Sequence, residues 1–399
     1  MPKLNRLMPG WGVAILLGLS SIVTSFSNGG LSPALPNVTV VNASDNGFNG
    51  FTPQQVQHAY GFDQIEADGR GETIAVVSAM DHPDAAANLA RAIAEFHERP
   101  MYGLPGMKAC SMTAGPYPCF EKVLLNRKGE SNSDWDMETD MDLQWAHAIA
   151  PGANILLVEA VKNTIPDLID GAIHAADLGA QVVSMSWGDY EFPAYLQYDA
   201  LFNRPGVVFV ASTGDEPLTT QYPATSPYVL AVGGTNVDIA PNGTWKSESV
   251  GPGWGGGSST YEHDSLANGH LRLTPDVSYG AELAFPVYGT INGSGTPNWY
   301  LDGGTSGSAP QWAALVARVD QLRSGHPFSS MELRQALAAA GAPPVYEQNF
   351  HEIVGHGDPQ ICPTCTATPG FNVSTGYGSP IANHLIPFLA TYGFPKSVP

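Results

Sequence analysis

The sequence is poor in basic residues. Lysine and arginine number 17 against 37 aspartates and glutamates, which gives a formal net charge of −20 at pH 7. A chain of this sign is repelled by a phosphate backbone, so the composition argues against nucleic acid as a partner. The acidic side chains also repel one another until they take up protons. The composition therefore favours an acidic medium, although simple solubility explains it equally well.

Cysteine is scarce as well, with four residues in 399. Cys110 and Cys119 bound a short loop that contains Gly and Pro, and Cys362 and Cys365 form the motif CPTC. Zinc is the competing interpretation of CPTC, but a second cysteine pair with metal-like spacing is missing. A thioredoxin role is disfavoured because CPTC does not follow a strand at the start of a helix. If the chain is exported, disulfide bonds are the expected state.

Long apolar runs are confined to the N terminus. Lys3 and Arg6 precede an apolar stretch at about residues 11–23, and small and polar residues follow it. This pattern predicts a signal peptide over residues 1–26, and hence a secreted or extracytoplasmic protein. An uncleaved anchor is the alternative, but the run is short for a membrane span, so no stable membrane association is expected after cleavage. Residues 27–50, rich in Asn, Ser, Gly and Pro, are interpreted as a linker.

Strand-like and helix-like segments alternate from residue 51 onward. Apolar runs such as NILLVEAV, QVVSMSW and GVVFVAST are typical of strands buried on both faces, and DLIDGAIHAADLG has helical spacing. A further helix is predicted to begin at Pro310 and to end near Gly325. The alternation predicts an α/β fold in which helices cover both faces of a mainly parallel sheet, as one domain of residues 51–399. Ligands of such sheets bind beyond the carboxyl ends of the strands.

The stretch DWDMETDMDLQWAHAIAPGA, residues 134–153, is densely acidic and then turns apolar. Glu138 and Asp142 stand four residues apart, which places both on one face of a helix. A solvated acidic face is the common interpretation, but the apolar continuation indicates that the helix is partly buried. A carboxylate with a pKa near about 4.3 can act as a base in acid, where histidine would be protonated. A second carboxylate one turn away shares a proton with the first.

Two other stretches offer catalytic groups. In DGGTSGSAPQWAAL, Ser306 is predicted to lie just before a helix, where free amides and the positive end of the helix dipole favour a nucleophile. An ordinary N-cap serine is the alternative. In FVASTGDEP, Asp215 follows a predicted strand and, when protonated, could donate a hydrogen bond to a developing oxyanion. An ordinary turn aspartate is the alternative there.

Taken together, these stretches resemble the sedolisins, the serine-carboxyl peptidases. The motifs that carry the resemblance are ETDMD (138–142), SMSWG (184–188), STGDE (212–216), PATSPYVLAVGGT (223–235) and GGTSGSAP (303–310). Their order and spacing match over almost the whole predicted domain. The resemblance implies a subtilisin-like fold, a secreted peptidase active in acid on proteins or peptides, with endopeptidase or tripeptidyl-peptidase activity, and a Ser-Glu-Asp triad.

The resemblance also assigns roles to individual residues. Ser306 is the implied nucleophile, and Glu138 is the implied general base and later the general acid. Asp142 is implied to orient Glu138 and to share its charge. Asp215 is implied to supply the hydrogen bond to the oxyanion.

The motif SMSWG is interpreted as a strand edge along which the substrate backbone pairs. Ser186, Trp187 and Gly188 are therefore candidate substrate-binding residues. For Trp187, a place in the hydrophobic core is the alternative. A conventional subtilisin triad with Asp81 and His82 is disfavoured, because adjacent residues on a strand point to opposite faces.

Two departures from the family pattern affect these expectations. Members usually carry a domain-sized propeptide, whereas only residues 27–50 separate the predicted signal peptide from the domain. This motivates a catalytically silent, peptide-binding protein as the alternative, although intact catalytic residues argue against it. Members also bind calcium near the C terminus through two aspartates and backbone carbonyls. Here Glu352 and Asn372 stand at the aspartate positions and Thr368 replaces a glycine, so calcium is disfavoured and no cofactor is expected to be required.

Overall fold

The computed structural model describes residues 50–110, 118–125, 132–251, 253–282, 285–290, 296–357, 360, 362 and 365–394. The predicted signal peptide and nearly all of the predicted linker lie outside these residues. Among the described helices, none combines the length and the apolar character that crossing a membrane requires.

The strands in the described residues are short. In chain order they are β1 Thr73–Ala79, β2 Phe120–Leu124, β3 Asn154–Ala160, β4 Val182–Met185, β5 Asp189–Tyr190, β6 Val208–Ser212, β7 Gln221–Tyr222, β8 Leu230–Ile239, β9 Trp245–Val250, β10 Gly257–Asp264, β11 His270–Thr274, β12 Val277–Gly280, β13 Phe285–Gly289, β14 Asn298–Asp302, β15 Phe350–His351, β16 Gly355–His356, β17 Thr366–Ala367 and β18 Ser379–Pro380.

The α-helices alternate with the first strands and then gather toward the C terminus. They are α1 Pro53–Tyr60, α2 Ala85–Glu95, α3 Ser133–Ile149, α4 Ile165–Asp177, α5 Asp199–Phe202, α6 Thr305–Arg323, α7 Ser330–Ala340, α8 Tyr346–Asn349 and α9 Ala382–Thr391.

An eight-stranded sheet forms the centre of the fold. Seven strands lie in the order β12-β8-β6-β4-β1-β3-β2, and each pairs with its neighbours in parallel. The remaining strand, β9, pairs antiparallel with β8. The other strands form two-stranded pairs, namely β5-β7, β10-β11, β13-β14, β15-β18 and β16-β17. The predicted mainly parallel α/β sheet is confirmed.

Both faces of the sheet are covered, as the near-continuous apolar strands predict. Successive side chains of β1 point to opposite faces. Val76 belongs to the same buried cluster as Trp312 of α6, whereas Val77 belongs to a second cluster with Ile169 of α4. The sheet therefore separates two cores, and helices α3 and α6 lie on the same side of it.

Helix α3 begins with a capped and acidic first turn. The Asn132 side chain accepts hydrogen bonds from the amides of Asp134 and Trp135, and acids in this turn are favoured by the helix dipole. Beyond this turn the acids are not solvated, because Glu138 is 3% exposed and Asp142 is 1% exposed. The burial excludes a solvated acidic face for this part of the helix.

The predicted start of α6 at Pro310 is wrong. The helix begins at Thr305, directly after Gly304, which has a left-handed φ of 84°, and Pro310 lies inside it. Proline lacks an amide hydrogen, so the carbonyl of Ser306 cannot accept the usual helical bond from residue 310. Ser306 accordingly lies in the first turn of α6 rather than before it. The helix ends at Arg323, close to the predicted Gly325.

Both predicted cysteine pairs form disulfide bonds, which confirms the disulfide interpretation. Cys110 is joined to Cys119 and Cys362 to Cys365. The second bond ties the segment that leads into the C-terminal loop at residues 366–378.

Candidate active site

The candidate site lies where the carboxyl ends of β4 and β6 meet α3 and the first turn of α6. Ser186 directly follows β4, and its Oγ lies 2.8 Å from Asp142 Oδ1 on α3. Asp215 follows β6 and contacts Thr305 at the start of α6. This is the edge of the sheet at which parallel α/β folds place their ligands.

Ser306 and Glu138 lie beside each other. The Ser306 hydroxyl is close enough to the Glu138 carboxyl to lower its pKa, and both side chains are 3% exposed. Burial raises the pKa of Glu138 well above its usual value, and the nearby Asp142 and Asp302 raise it further. Glu138 Oε1 is buried without a partner among the described residues. The carboxyl therefore has a hydroxyl on one side and an unused acceptor on the other.

Asp142 lies one helical turn beyond Glu138. Burial raises its pKa well above the usual value; the hydrogen bond with Ser186 opposes this shift and the Asp302 carboxyl reinforces it. Because Glu138 and Asp142 influence each other's ionisation, the pair loses its protons in two separated steps. The state in which one proton is shared by the two carboxyls lies between these steps.

Asp215 is fixed by the start of α6. Its Oδ1 accepts hydrogen bonds from the Thr305 amide at 2.8 Å and the Thr305 hydroxyl at 2.9 Å. Its Oδ2 is buried without a partner among the described residues. A Cβ at Gly304 would lie 2.5 Å from that oxygen, so only glycine lets the backbone approach it. Burial raises the pKa of Asp215 although the Thr305 bonds oppose the shift, so Oδ2 can carry a proton in acid.

Asp302 is a fourth carboxyl that the sequence interpretation missed. It ends β14, is fully buried, and accepts a hydrogen bond from the Gly303 amide at 2.8 Å. Burial, together with Asp215, raises its pKa to about 7. The available signal was an aspartate at the end of an apolar strand, directly before the GGTS motif. Within the described part of the chain, no cationic side chain forms an ion pair with any of the four carboxyls, so they cannot all be ionised together.

The three predicted substrate-binding residues lie in different surroundings. Ser186 is 3% exposed and contacts Asp142 and the Ser306 carbonyl. Trp187 is 2% exposed, and its indole N–H donates to the Val77 carbonyl at 3.0 Å. A Cβ at Gly188 would meet Gln221 Oε1 at 2.8 Å. The role of these residues in substrate binding stays a prediction.

Asp81 and His82 have other partners. His82 Nε2 lies 2.9 Å from Asp140 Oδ1, and Lys122 Nζ lies 2.6 Å from Asp81 Oδ1. Asp140 also lies on α3, but on the side of the helix opposite to Glu138 and Asp142. Asp81 and His82, the residues of the conventional triad that the sequence disfavours, therefore belong to a separate ion-pair network.

The C-terminal loop is organised by the side-chain amide of Asn372. Its Oδ1 accepts hydrogen bonds from the Ser374 and Thr375 amides, both at 3.0 Å. This fixes the orientation of the amide, so Nδ2 must face the carbonyls of Thr368 and Gly370, at 3.1 and 3.3 Å.

This donor set does not fit calcium. Calcium requires about six to eight oxygen ligands, at least some of them charged. Here an N–H donor of Asn372 already occupies the carbonyl oxygens, and Glu352 Oε1 accepts a hydrogen bond from the Gly370 amide at 3.3 Å. Among the described residues, no cluster of three or more acidic, histidine or cysteine side chains could hold a metal ion.

Comparison with known proteins gives relatives of one kind. The sequence model of the subtilase family matches residues 129–378. Kumamolisin from Bacillus sp. (strain MN-32) is 30% identical over 382 residues, which cover 85% of this chain and 63% of kumamolisin. Sedolisin from Pseudomonas sp. (strain 101) is 27% identical over 330 residues, which cover 67% of this chain and 52% of sedolisin. The chain thus spans between about half and two thirds of the length of these relatives.

A solved structure supports the same fold. Pseudomonas sedolisin, a serine-carboxyl proteinase complexed with two molecules of pseudo-iodotyrostatin, superposes with a TM-score of 0.69. The match covers 88% of this chain and all of that one, at 21% identity. This likeness confirms the subtilisin-like fold. The chain therefore belongs to the subtilase family and, over most of its length, is similar to serine-carboxyl peptidases of the sedolisin type.

Proposed function

We propose that this chain is a secreted, acid-active serine-carboxyl endopeptidase that cleaves proteins or peptides. The observation that carries the proposal is the position of the Ser306 hydroxyl beside the buried Glu138 carboxyl, whose pKa it influences. A serine nucleophile needs an adjacent base, and among the described residues Glu138, not a histidine, lies beside Ser306. The N-terminal sequence pattern supports secretion.

In the proposed reaction, Ser306 Oγ attacks the scissile carbonyl and Glu138 takes the hydroxyl proton. The carbonyl oxygen becomes an oxyanion, and the protonated Oδ2 of Asp215 donates a hydrogen bond to it. Glu138 then gives its proton to the leaving amine, which departs and leaves an acyl-enzyme. Water attacks the acyl-enzyme, with Glu138 again taking and returning one proton.

The protonation states of the site limit this reaction to acid. Glu138 must be ionised to accept a proton, whereas Asp142 and Asp215 must be protonated. At very low pH Glu138 is protonated and the base is lost. As pH rises, the pair loses its last proton and Asp215 ionises, which turns a donor into a charge that repels the oxyanion. A bell-shaped dependence of rate on pH follows.

The direct test is digestion of denatured casein by the purified protein between pH 3 and 8. We expect the rate to be maximal in acid and to fall away as pH rises through about 7, where Asp302 ionises as well. Mass spectrometry of the products distinguishes cuts at internal bonds from the successive release of tripeptides. A maximum above pH 7 contradicts the proposal. Folded protein that binds peptides but cleaves none at any pH supports the silent alternative.

We further propose that the C-terminal loop folds without calcium. Chelation or added calcium is expected to leave the melting temperature of the protein unchanged. In Asn372→Asp, a carboxylate oxygen faces the carbonyls of Thr368 and Gly370, and the loss of the donor destabilises the fold by about 1–3 kcal/mol. Millimolar calcium is expected to restore the melting temperature of this variant, since the carboxylate and the carbonyls then form a cation site.

The matched control for this loop is Asn242→Asp. Asn242 is exposed in the turn between β8 and β9, where its Oδ1 accepts a hydrogen bond from the Thr244 amide at 3.2 Å. This change adds the same charge at a site without converging carbonyls, so no response to calcium is expected. A fall in the melting temperature of the unmodified protein on chelation contradicts the proposal.

A further inference from the structure

Ser186 bridges the catalytic helix α3 and the nucleophile helix α6. Its Oγ lies 2.8 Å from Asp142 Oδ1 and 3.1 Å from the main-chain carbonyl oxygen of Ser306. All three residues are nearly inaccessible to solvent, Ser186 being 3% exposed. Both contacts of the hydroxyl are therefore made in a dry site, where a missing hydrogen bond is costly.

The carbonyl of Ser306 is available because of Pro310. In an α-helix this carbonyl accepts from the amide four residues later, and that residue is a proline without an amide hydrogen. The Ser186 hydroxyl supplies a donor in its place. The backbone of the nucleophile is thus held by the side chain of Ser186, which follows β4, and not only by its own helix.

The hydrogen bonds that Ser186 forms with Asp142 and with the Ser306 carbonyl depend on how many hydrogens these groups carry. A serine hydroxyl has one hydrogen, and an ionised carboxylate and a carbonyl are both acceptors. Ser186 can satisfy both partners only if Asp142 carries a proton. In that state Asp142 donates its O–H to Ser186 Oγ, and Ser186 donates its own hydrogen to the Ser306 carbonyl. When Asp142 ionises, the hydroxyl hydrogen turns toward the carboxylate and the carbonyl loses its donor.

We propose that Ser186 is a positioning residue that holds the Ser306 nucleophile in place only while Asp142 is protonated. This inference rests on the proposed peptidase function, and it gives the acidic requirement of that function a structural cause. It also gives Ser186 a role apart from direct contact with substrate.

The surroundings of Asp142 favour its protonated form. Burial is the largest cause of the raised pKa of Asp142, and the Asp302 carboxyl of β14 raises this pKa further. The ionisation of Asp142 is also linked to that of Glu138, which lies on the same helix. Ser186, which follows β4, also faces Asp142, and its hydrogen bond lowers the pKa of Asp142. Loss of that bond in Ser186→Ala should therefore move the alkaline limb of the rate profile to higher pH.

The experiment compares kcat and KM of the unmodified protein, Ser186→Ala and Ser184→Ala on a fluorogenic peptide between pH 3 and 8. Ser184 lies on β4, the strand that Ser186 directly follows; it is fully buried, and its Oγ has no partner among the described residues, so it is the matched control. Rates are taken well below the melting temperature of each variant, so that unfolding does not contribute. We expect Ser186→Ala to lower kcat about 10- to 100-fold with KM within about twofold, because small misplacements of a reacting group have effects of this size.

A second variant tests whether the Ser306 carbonyl depends on Ser186 because Pro310 has no amide hydrogen. Pro310→Ala supplies an amide hydrogen that can bond to the Ser306 carbonyl within the helix. In the Ser186→Ala background it is expected to restore kcat about tenfold, without returning the alkaline limb to its original pH. A Ser186 that only stabilised the fold would lower the melting temperature and leave kcat and the pH profile unchanged.

The outcomes separate this inference from the proposed function. If the unmodified protein cleaves peptides in acid and Ser186→Ala has the same kcat and pH profile, the inference is overturned while the function stands. If kcat falls equally in Ser184→Ala, the inference is overturned as well. If the unmodified protein is folded but has no acid peptidase activity, the proposed function itself fails.

Discussion

Replacement of Ser306 by alanine is expected to lower kcat by about 10⁶-fold, the effect that loss of the nucleophile has in serine peptidases. The reason is chemical, because in the described part of the chain Ser306 provides the hydroxyl beside the Glu138 carboxyl that attacks the substrate carbonyl. The melting temperature is expected to change little, since alanine is a good helix former. Digestion of casein and of a fluorogenic peptide at the acidic optimum measures the effect.

Ser308→Ala is the matched control for this loss. Ser308 lies in the same turn of α6, is fully buried, and its Oγ makes only long contacts, at 3.4 and 3.3 Å, to the Tyr279 and Gly280 carbonyls. Its removal is expected to leave kcat within about threefold. Residual cleavage by Ser306→Ala at more than about one thousandth of the original rate, in a preparation free of other peptidases, would mean that another group is the nucleophile.

The second large effect is expected for Glu138→Gln, which should lower kcat by about 10²- to 10⁴-fold. Glutamine has nearly the shape of glutamate and can still contact the Ser306 hydroxyl, but it cannot take the proton. The remaining activity should no longer fall at low pH, because the group whose protonation causes that fall is gone. Rates measured between pH 2 and 7 test both the size of the loss and the missing acid limb.

Asp136→Asn controls for the removal of an acid from α3. Asp136 lies two residues before Glu138, on the side of the helix that faces His82, at 3.5 Å from its Nδ1. Its neutralisation is expected to change kcat by less than about threefold and to leave the acid limb in place. A Glu138→Gln variant that keeps its acid limb at the original pH would show that another group sets it, and the proposed base would be wrong.

The sequence predicts the scaffold well because its signals are local. Apolar runs such as NILLVEAV correspond to β3, and the spacing of Glu138 and Asp142 places both carboxyls on one side of α3. Helical periodicity and strand burial are properties of short segments, so they can be recognised without knowledge of the fold. The sedolisin-type resemblance, which rests on five ordered motifs, is confirmed for the family and for the fold.

Other features depend on which segments meet, and local patterns do not contain that information. Pro310 is a typical first-turn residue, yet the helix begins five residues earlier, because Gly304 turns the chain and Ser186 of a distant strand satisfies the Ser306 carbonyl. Asp302 looks like an ordinary strand-end aspartate until β14 is packed against the other three carboxyls. These long-range contacts are what turn separate acids into one cluster.

The amide of Asn372 has a consequence for the setting in which the protein can work. Chelators withdraw metal ions from proteins whose folding depends on them. In the calcium-free loop proposed above, the N–H group that contacts the carbonyls is covalently attached and cannot be withdrawn. The fold around this loop is therefore expected to keep its shape when a chelator is present.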